Sequence, residues 1–509
     1  MKKFILSLII LMLGIKTYAA TDWVNDSRAL FQDNGMVILG VNIRTFNAKD
    51  TNKNGVIESK LGEEAGNFIN AVDRLDELVL NGVNTIHLLP ITPVGKTKAY
   101  GTAGSLYALN AFNAINPQLS ALKSTISLNN QVRYFIEECH KRRICVLVDL
   151  PAFTSYDYYL AHGNMFSQNY NSNLDLDASA DMRFPDAGTE WTVNETLLNN
   201  YISFFDFMMG LGVDGVVANH AYTKPAKFWA EIIKHVRSKD EQFLFLAHAT
   251  DEDYPVSDGA PVTSCKRLLD VGFDGYYGGY SRLSEWKSAK ELYNQVRFNQ
   301  RLFSGYKNIK SAIGSFATVD SPSPVLVHGP QYAIMIAWLN ATLPLNSYFL
   351  DGFQSGDDYN FPLANKHAKM TATDNEFFYV KPGRMDIYNF SRKPGGQNGD
   401  ILQNFVLANK FKSMMGASLR DASFVPLHTS SSSVFAYIRS NSYDSILVVG
   451  NLDFENLRNV KVHIPKLTEK MSIIPIKFQG VQKVASKTFN TILSPGEIQV
   501  FMIKNYSIK

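Results

Sequence analysis

Oxygen donors recur at alternate positions in DTNKNGVIE (50–58). Asp50, Asn52, Asn54 and Glu58 supply side-chain oxygens, Val56 a carbonyl, and Gly55 the sharp turn. Hard oxygen ligands spaced around a glycine suit Ca2+. Leu61 stands where a helix-loop-helix calcium motif needs Glu. The same residues also suit an Asn/Gly turn closed by its own Asx hydrogen bonds. A structural Ca2+ and a plain turn are therefore both open.

Other residues with chemical potential stand at or near the ends of apolar runs. Asp149 lies in ICVLVDL (144–150), Asp214 and Asn219 in VDGVVAN (213–219), His248 in FLFLAHA (243–249), and Asp320 in FATVDSPSP. A His-plus-Asp pair such as His248 and Asp320 could do general acid chemistry near neutral pH. His248 could also hold a metal with His220, but Asn219 and Val217 share a strand face that leaves His220 pointing away. Cys139, Cys145 and Cys265 are odd in number, so they cannot all pair internally. Core thiols or a single disulfide both fit.

These residues need a scaffold, and the chain spells one out. Short β-like runs alternate with helical stretches from residue 35 to about 350. The runs cover 36–42, 84–90, 144–150, 213–219, 243–249, 272–278, 311–317 and 346–352. Several are apolar on both faces, as strands of a parallel sheet between two layers should be. Phe68, Val72, Leu75, Leu78 and Val79 keep a helical period, as do Val132, Phe135 and Ile136. Eight alternations predict an α/β fold, a (β/α)8 TIM barrel over 20–420. A polar, Asn/Asp/Tyr-rich insertion after strand three should occupy about 152–205. Beyond about 420 the period becomes two, predicting a C-terminal antiparallel β-sandwich over 421–509. The Ser-rich run 429–433 reads as a low-complexity join.

Residues 1–19 read as a signal peptide, with Lys2 and Lys3 before an apolar stretch and small residues at Thr17-Tyr18-Ala19. An exported protein, periplasmic or extracellular, is expected, with no stable membrane insertion. Hydrophobic residues at 45% and charged residues at 19% exclude wholesale disorder. A net charge of +3 without a basic cluster argues against nucleic acid as a partner.

Four segments in order resemble the α-amylase superfamily, glycoside hydrolase family 13. They are LDELVLNGVNTIHLLPITPV (75–94), GSLYALNAFNAINPQL (104–119), GVDGVVANHAYT (212–223) and TLPLNSYFLDGFQSG (342–356). The 50–58 loop also resembles that family's calcium loop. The resemblance implies a retaining glycosidase whose nucleophile position is Asn219, whose acid/base position is His248 and whose transition-state stabiliser is Asp320. Retention needs a carboxylate about 5 Å from a protonated carboxyl, and two of the three groups are not carboxylates. Val217 replaces the arginine beside the nucleophile, and Thr154 and Val319 replace sugar-binding histidines. Phe153 replaces an Asn that is a calcium ligand in many members. Tyr107, Asp149 and Asp214 are implied to line the barrel mouth, with Tyr107 as an aromatic platform under a sugar.

The resemblance therefore implies an α-amylase-like protein that binds glucan or oligosaccharide with lost or strongly reduced hydrolysis. An active hydrolase or transglycosylase with a rearranged site is the alternative, and a non-catalytic protein-interaction module is the third reading. No organic cofactor is expected.

Overall fold

The computed structural model describes residues 23–49, 51, 57–97, 99, 105–166, 184–249, 263–307, 309–319, 321–357, 398–420, 422–441, 444–468, 471–476, 482–483 and 487–506. All eight expected strands form and pair in parallel: β1 (Val37–Val41), β2 (Thr85–Leu88), β3 (Cys145–Leu150), β4 (Gly215–Asn219), β5 (Leu244–His248), β6 (Gly275–Tyr277), β7 (Ser311–Ile313) and β8 (Ser347–Leu350). Their order, β7-β6-β5-β4-β3-β2-β1-β8, leaves one seam between β7 and β8.

Asn346 closes that seam. Its N–H donates to the Ala312 carbonyl at 2.8 Å, and its own carbonyl accepts from Gly314 N at 2.8 Å. Its buried side chain accepts from Met36 N at 3.0 Å and donates to the Phe31 carbonyl at 2.9 Å. One residue thus ties β7, β8, the entry to β1 and the end of helix α1 (Ser27–Gln32). The sheet becomes a ring without a free edge.

Alternation along the strands feeds two cores. Ile38, Leu147, Val217, Leu246 and Ile313 pack inside the ring. Leu39, Val148, Val216, Phe245 and Ala312 face outwards into the helical layer. Burial on both sides is why these strands are apolar at nearly every position.

The helices cover the outer face. Helix α2 (Leu75–Leu80) buries Leu75 and Leu78, but Val79 is 44% exposed, so the expected apolar face is one residue narrower. Helix α3 (Leu128–Lys141) buries Val132, Phe135 and Ile136 as its period requires. Helix α4 (Glu195–Leu211) starts where the Asn194 side chain accepts from Leu197 N and ends at left-handed Gly212. The insertion therefore stops at that cap, before the expected 205. Helices α5 (Ala226–Arg237), α6 (Cys265–Val271), α7 (Ala289–Phe303), α8 (Pro324–Thr342) and α9 (Gly399–Arg420) complete the layer. All three cysteines are free and buried, so the core-thiol reading holds. Burial pushes the Cys139 and Cys145 thiols well above their ordinary range. Among the described residues, no helix is long and apolar enough to cross a membrane.

The C-terminal part is the expected antiparallel sandwich. Strands β9 (Ser423–Pro426), β11 (Val434–Ser440), β12 (Ser445–Asn451), β14 (Ser472–Pro475), β15 (Gln482–Lys483) and β17 (Ile498–Lys504) form one sheet. The second contains β10 (His428–Thr429), β13 (Arg458–His463) and β16 (Thr488–Leu493). The Ser-rich run is a structured turn within the sandwich, not a join. Thr429 Oγ1 donates there to the Ser431 carbonyl at 2.7 Å, and the Ser432 carbonyl accepts from Ala289 N at 2.9 Å.

Strand β11 is buried along its whole length. Val434, Ala436 and Ile438 face the sandwich core, while Phe435 and Tyr437 face the barrel's. Arg439 is the polar counterpart of that contact. Its guanidinium donates to the carbonyls of Thr342 at 3.0 Å, Ala422 at 3.3 Å and Leu419. A cation thus sits on the carboxyl ends of α8 and α9, where helix dipoles favour one. Burial lowers its pKa to about 10, so the charge persists at neutral pH. Lys412 adds a second clamp, donating to Asn340 O at 2.9 Å and Leu345 O at 2.7 Å.

Replacing Arg439 with Met should strand buried carbonyls at about 1–3 kcal/mol each. We expect a loss of about 3 kcal/mol in chemical denaturation; an unchanged midpoint would refute the capping account.

Candidate functional site

In a parallel barrel every strand delivers its carboxyl end to one face, and inward residues near those ends line it. Here those residues are polar. Strand β2 offers His87, β3 Asp149, β4 Asn219 and β5 His248, all at most 9% exposed. Tyr277 of β6 and Tyr348 of β8 lie beneath and beside them in the interior core.

Asn219 and His248 stand opposite each other in the β4–β5 register. Asn219 Nδ2 donates to His248 Nδ1 at 3.1 Å, which requires that ring nitrogen to be unprotonated. The His248 ring meets Tyr277 edge to face at 4.3 Å between centroids. The pair carries no carboxylate. An amide cannot form a glycosyl ester, although an imidazole can exchange a proton. Asn219 Oδ1 is buried and has no hydrogen-bond partner among the described residues.

A second polar chain crosses the barrel. Tyr107 donates its hydroxyl to Asp149 Oδ2 at 3.3 Å. His87 Nε2 lies 3.6 Å from the same oxygen, beyond hydrogen-bond length. His87 Nδ1 is 3.1 Å from the Tyr348 hydroxyl. Burial, reinforced by the nearby His248 ring, lowers the His87 pKa to about 3. Complete burial keeps the ring neutral at pH 7. Burial likewise pushes the Tyr277 hydroxyl well above its usual range, with Tyr348, Asp149 and Tyr107 adding to the shift.

Several expected positions fall elsewhere. Asp214 precedes β4 and lies at the opposite end of the barrel from Asn219. It accepts from Val146 N at 2.7 Å and pairs with His140 Nε2 at 2.9 Å, and the His140 ring stacks on Trp23 at 4.1 Å. It organises the amino-terminal face and lines no mouth. Tyr107 is only 5% exposed, packed with Leu89, Leu106 and Val319. It is a core aromatic whose hydroxyl steadies Asp149, not a displayed platform.

His220 also departs from expectation. It lies just past β4 with φ 41°, in the left-handed region, so strand alternation no longer governs it. Its ring lies 6.0 Å from that of His248, nearly parallel at 19°. Phe153 meets it edge to face at 5.2 Å, in contact also with Phe184. Among the described residues, no three His, Cys, Asp or Glu side chains gather as a metal-binding group.

Asp320 lies outside the described residues, as do Asp50, Asn52, Asn54, Val56 and the 1–19 leader. Glu58 is exposed, and its N–H donates to Glu63 Oε2 at 2.9 Å. Glu63, only 2% exposed, also accepts from Thr51 N and Oγ1 at 2.8 Å. It spans both ends of the loop, and sequence reasoning missed it. His87 was missed too, although its place two residues after Thr85 on a strand marked it as inward-facing.

No family model matches the chain. An α-1,4-glucan:maltose-1-phosphate maltosyltransferase of Myxococcus xanthus is 27% identical over 187 residues, covering 33% of this chain and 27% of the relative. A maltosyltransferase of the same name from Streptomyces coelicolor is 22% identical over 424 residues, 78% of this chain and 57% of the relative. The chain thus spans less than two thirds of these relatives. A maltogenic α-amylase from Thermotoga neapolitana superposes with a TM-score of 0.68 at 16% identity, covering 93% of this chain and 99% of that structure. At that identity the match establishes the fold.

The neutral burial of His87 has a consequence in acid. An unfolded imidazole gains its proton as pH falls through 6.5, while the folded ring stays neutral down to about 3. This residue therefore costs nothing above 6.5. Between those values it lowers stability by up to about 1.4 kcal/mol per pH unit. His87→Gln should flatten the slope of denaturation midpoint against pH between 6.5 and 4. An identical slope in the variant would mean that the native ring already carries its charge.

Proposed function

The chain is related to the α-amylase superfamily, glycoside hydrolase family 13, and from that premise we propose that it binds α-glucan or oligosaccharide at the barrel mouth with lost or strongly reduced hydrolysis. The observation that carries the binding is the orphaned Oδ1 of Asn219. A buried acceptor without a donor is costly, by about 1–3 kcal/mol. A sugar hydroxyl would satisfy it, and His248 and Asp149 offer further neutral-ligand contacts in the same ring. The weak hydrolysis rests on the Asn219–His248 pair, which offers no carboxylate to an oxocarbenium-like centre. A retained arginine beside Asn219 would be an unpaired buried charge, and Val217 avoids it.

A second reading, an active hydrolase or transglycosylase with a rearranged site, is favoured by the activities named for the maltosyltransferase relatives. The two readings part on α-glucosyl fluoride, whose good leaving group lessens the need for an acid. We expect turnover at the buffer rate, together with calorimetric binding of maltoheptaose that weakens about five- to thirtyfold in Asn219→Ala. Turnover abolished by Asp320→Ala would establish the second reading. Absence of any glucan binding would leave the interaction module.

The leader-like start supports export to the periplasm or beyond. We also propose a structural Ca2+ in the 50–58 loop. Glu63 fits this role as a frame, because its carboxylate holds Thr51 and Glu58 by their backbones. The donors of Asp50, Asn52, Asn54, Val56 and Glu58 would then serve the ion. Chelation by EDTA should lower the thermal midpoint and added Ca2+ restore it; a midpoint indifferent to both would remove the ion from the account.

A further inference from the structure

A small cavity of about 20 Å3 lies at the amino-terminal end of the barrel, opposite the mouth. The segments that lead into β1 and β8 bound it, together with the second half of α9 and Arg439 of β11. Its volume admits one species of about the size of a water molecule.

Charge sets this cavity apart. Lys412 and Arg439 both line it and are buried, at 5% and 2% exposure. No carboxylate pairs with either of them among the described residues. Asp33 also borders the cavity, but its carboxylate holds Arg420 at 2.9 Å on the exposed rim. That pair is neutral in sum, which leaves two cations without a counter-charge. Buried charge of one sign is costly, and carbonyl dipoles offset only part of the cost. Burial and the neighbouring Arg439 lower the Lys412 pKa to about 7.

The donors around the cavity are not used up. A guanidinium has five N–H groups and an ammonium three. Arg439 donates to the carbonyls of Ala422, Thr342 and Leu419, so two of its N–H groups remain. Lys412 donates to those of Asn340 and Leu345, so one remains. Asn34, a third lining residue, accepts from the Ser311 hydroxyl through Oδ1, which leaves its amide N–H groups. A space bordered by spare donors and positive charge suits an anion. Water would fill the volume and leave the charge unbalanced.

We propose that a small monovalent anion, of the size of chloride, occupies this cavity between the Lys412 ammonium and the Arg439 guanidinium. It would tie helix α9 of the barrel to strand β11 of the sandwich, and complete a junction that carbonyls alone leave positive. The site lies at the other end of the barrel from Asn219 and His248, so it does not rest on the carbohydrate-binding reading.

The test reads the thermal midpoint of the full chain at constant ionic strength, as sodium chloride replaces sodium gluconate. We expect a saturable rise of about 2–4 °C, half complete in the millimolar range. Lys412→Met, which keeps the length and removes the charge, should abolish the chloride response whatever its own midpoint. A second measurement needs no variant. In crystals of the wild-type chain grown in sodium bromide, an anomalous peak should lie between Lys412 Nζ and the Arg439 guanidinium. Water in place of bromide there would overturn the proposal. So would a midpoint indifferent to chloride, or a rise shared equally by wild type and Lys412→Met, which would be a bulk salt effect.

Discussion

Closure of the barrel at Asn346 is the constraint on which the rest depends. Eight short parallel strands make a ring only if the last seam is bridged, and β7 has three residues with which to do it. A buried amide that donates to Phe31 and accepts from Met36 supplies what two abutting strands alone would not. Because the ring is closed, alternation has a fixed meaning around it. Inward residues meet one another across a narrow interior, and the polar ones collect where the strands end. The contacts between Asn219 and His248, and between Asp149 and His87, follow from that geometry.

The same geometry explains what the chain's letters conveyed. Buried parallel strands show as apolar runs, and all eight were legible, as was the change of period that begins the sandwich. Position along a strand was harder to read. Asp214 and Asn219 are five residues apart, close in the sequence, yet about 3.3 Å of rise per residue puts them on opposite faces of the barrel. His220 escaped because alternation stops where the strand stops, and its positive φ turns the ring back beside His248. Tyr107 is enclosed by Leu89 and Val319, apolar neighbours brought from distant parts of the chain.

The polar ring at the mouth and the apolar interior below it are held apart by charge economy. His87 is neutral, Val217 stands where a guanidinium would need a partner, and Asp149 is steadied by the Tyr107 hydroxyl. Buried ionic groups persist only when paired or solvated by fixed dipoles. The one fully buried guanidinium discussed above, Arg439, is placed on helix carbonyls at the junction with the sandwich, away from the strand ends.

That junction has a temporal side. A chain made from its amino end releases β1 long before β8, and α8 before the strand that carries Arg439. Strand β1 must wait for Ser347–Leu350 to gain its second neighbour. The last carbonyl of α8 must wait for residue 439. Contacts so far apart along the chain make for slow assembly. The ring can therefore close once Ser347–Leu350 has emerged, while the end of α8 stays uncapped until residue 439 follows.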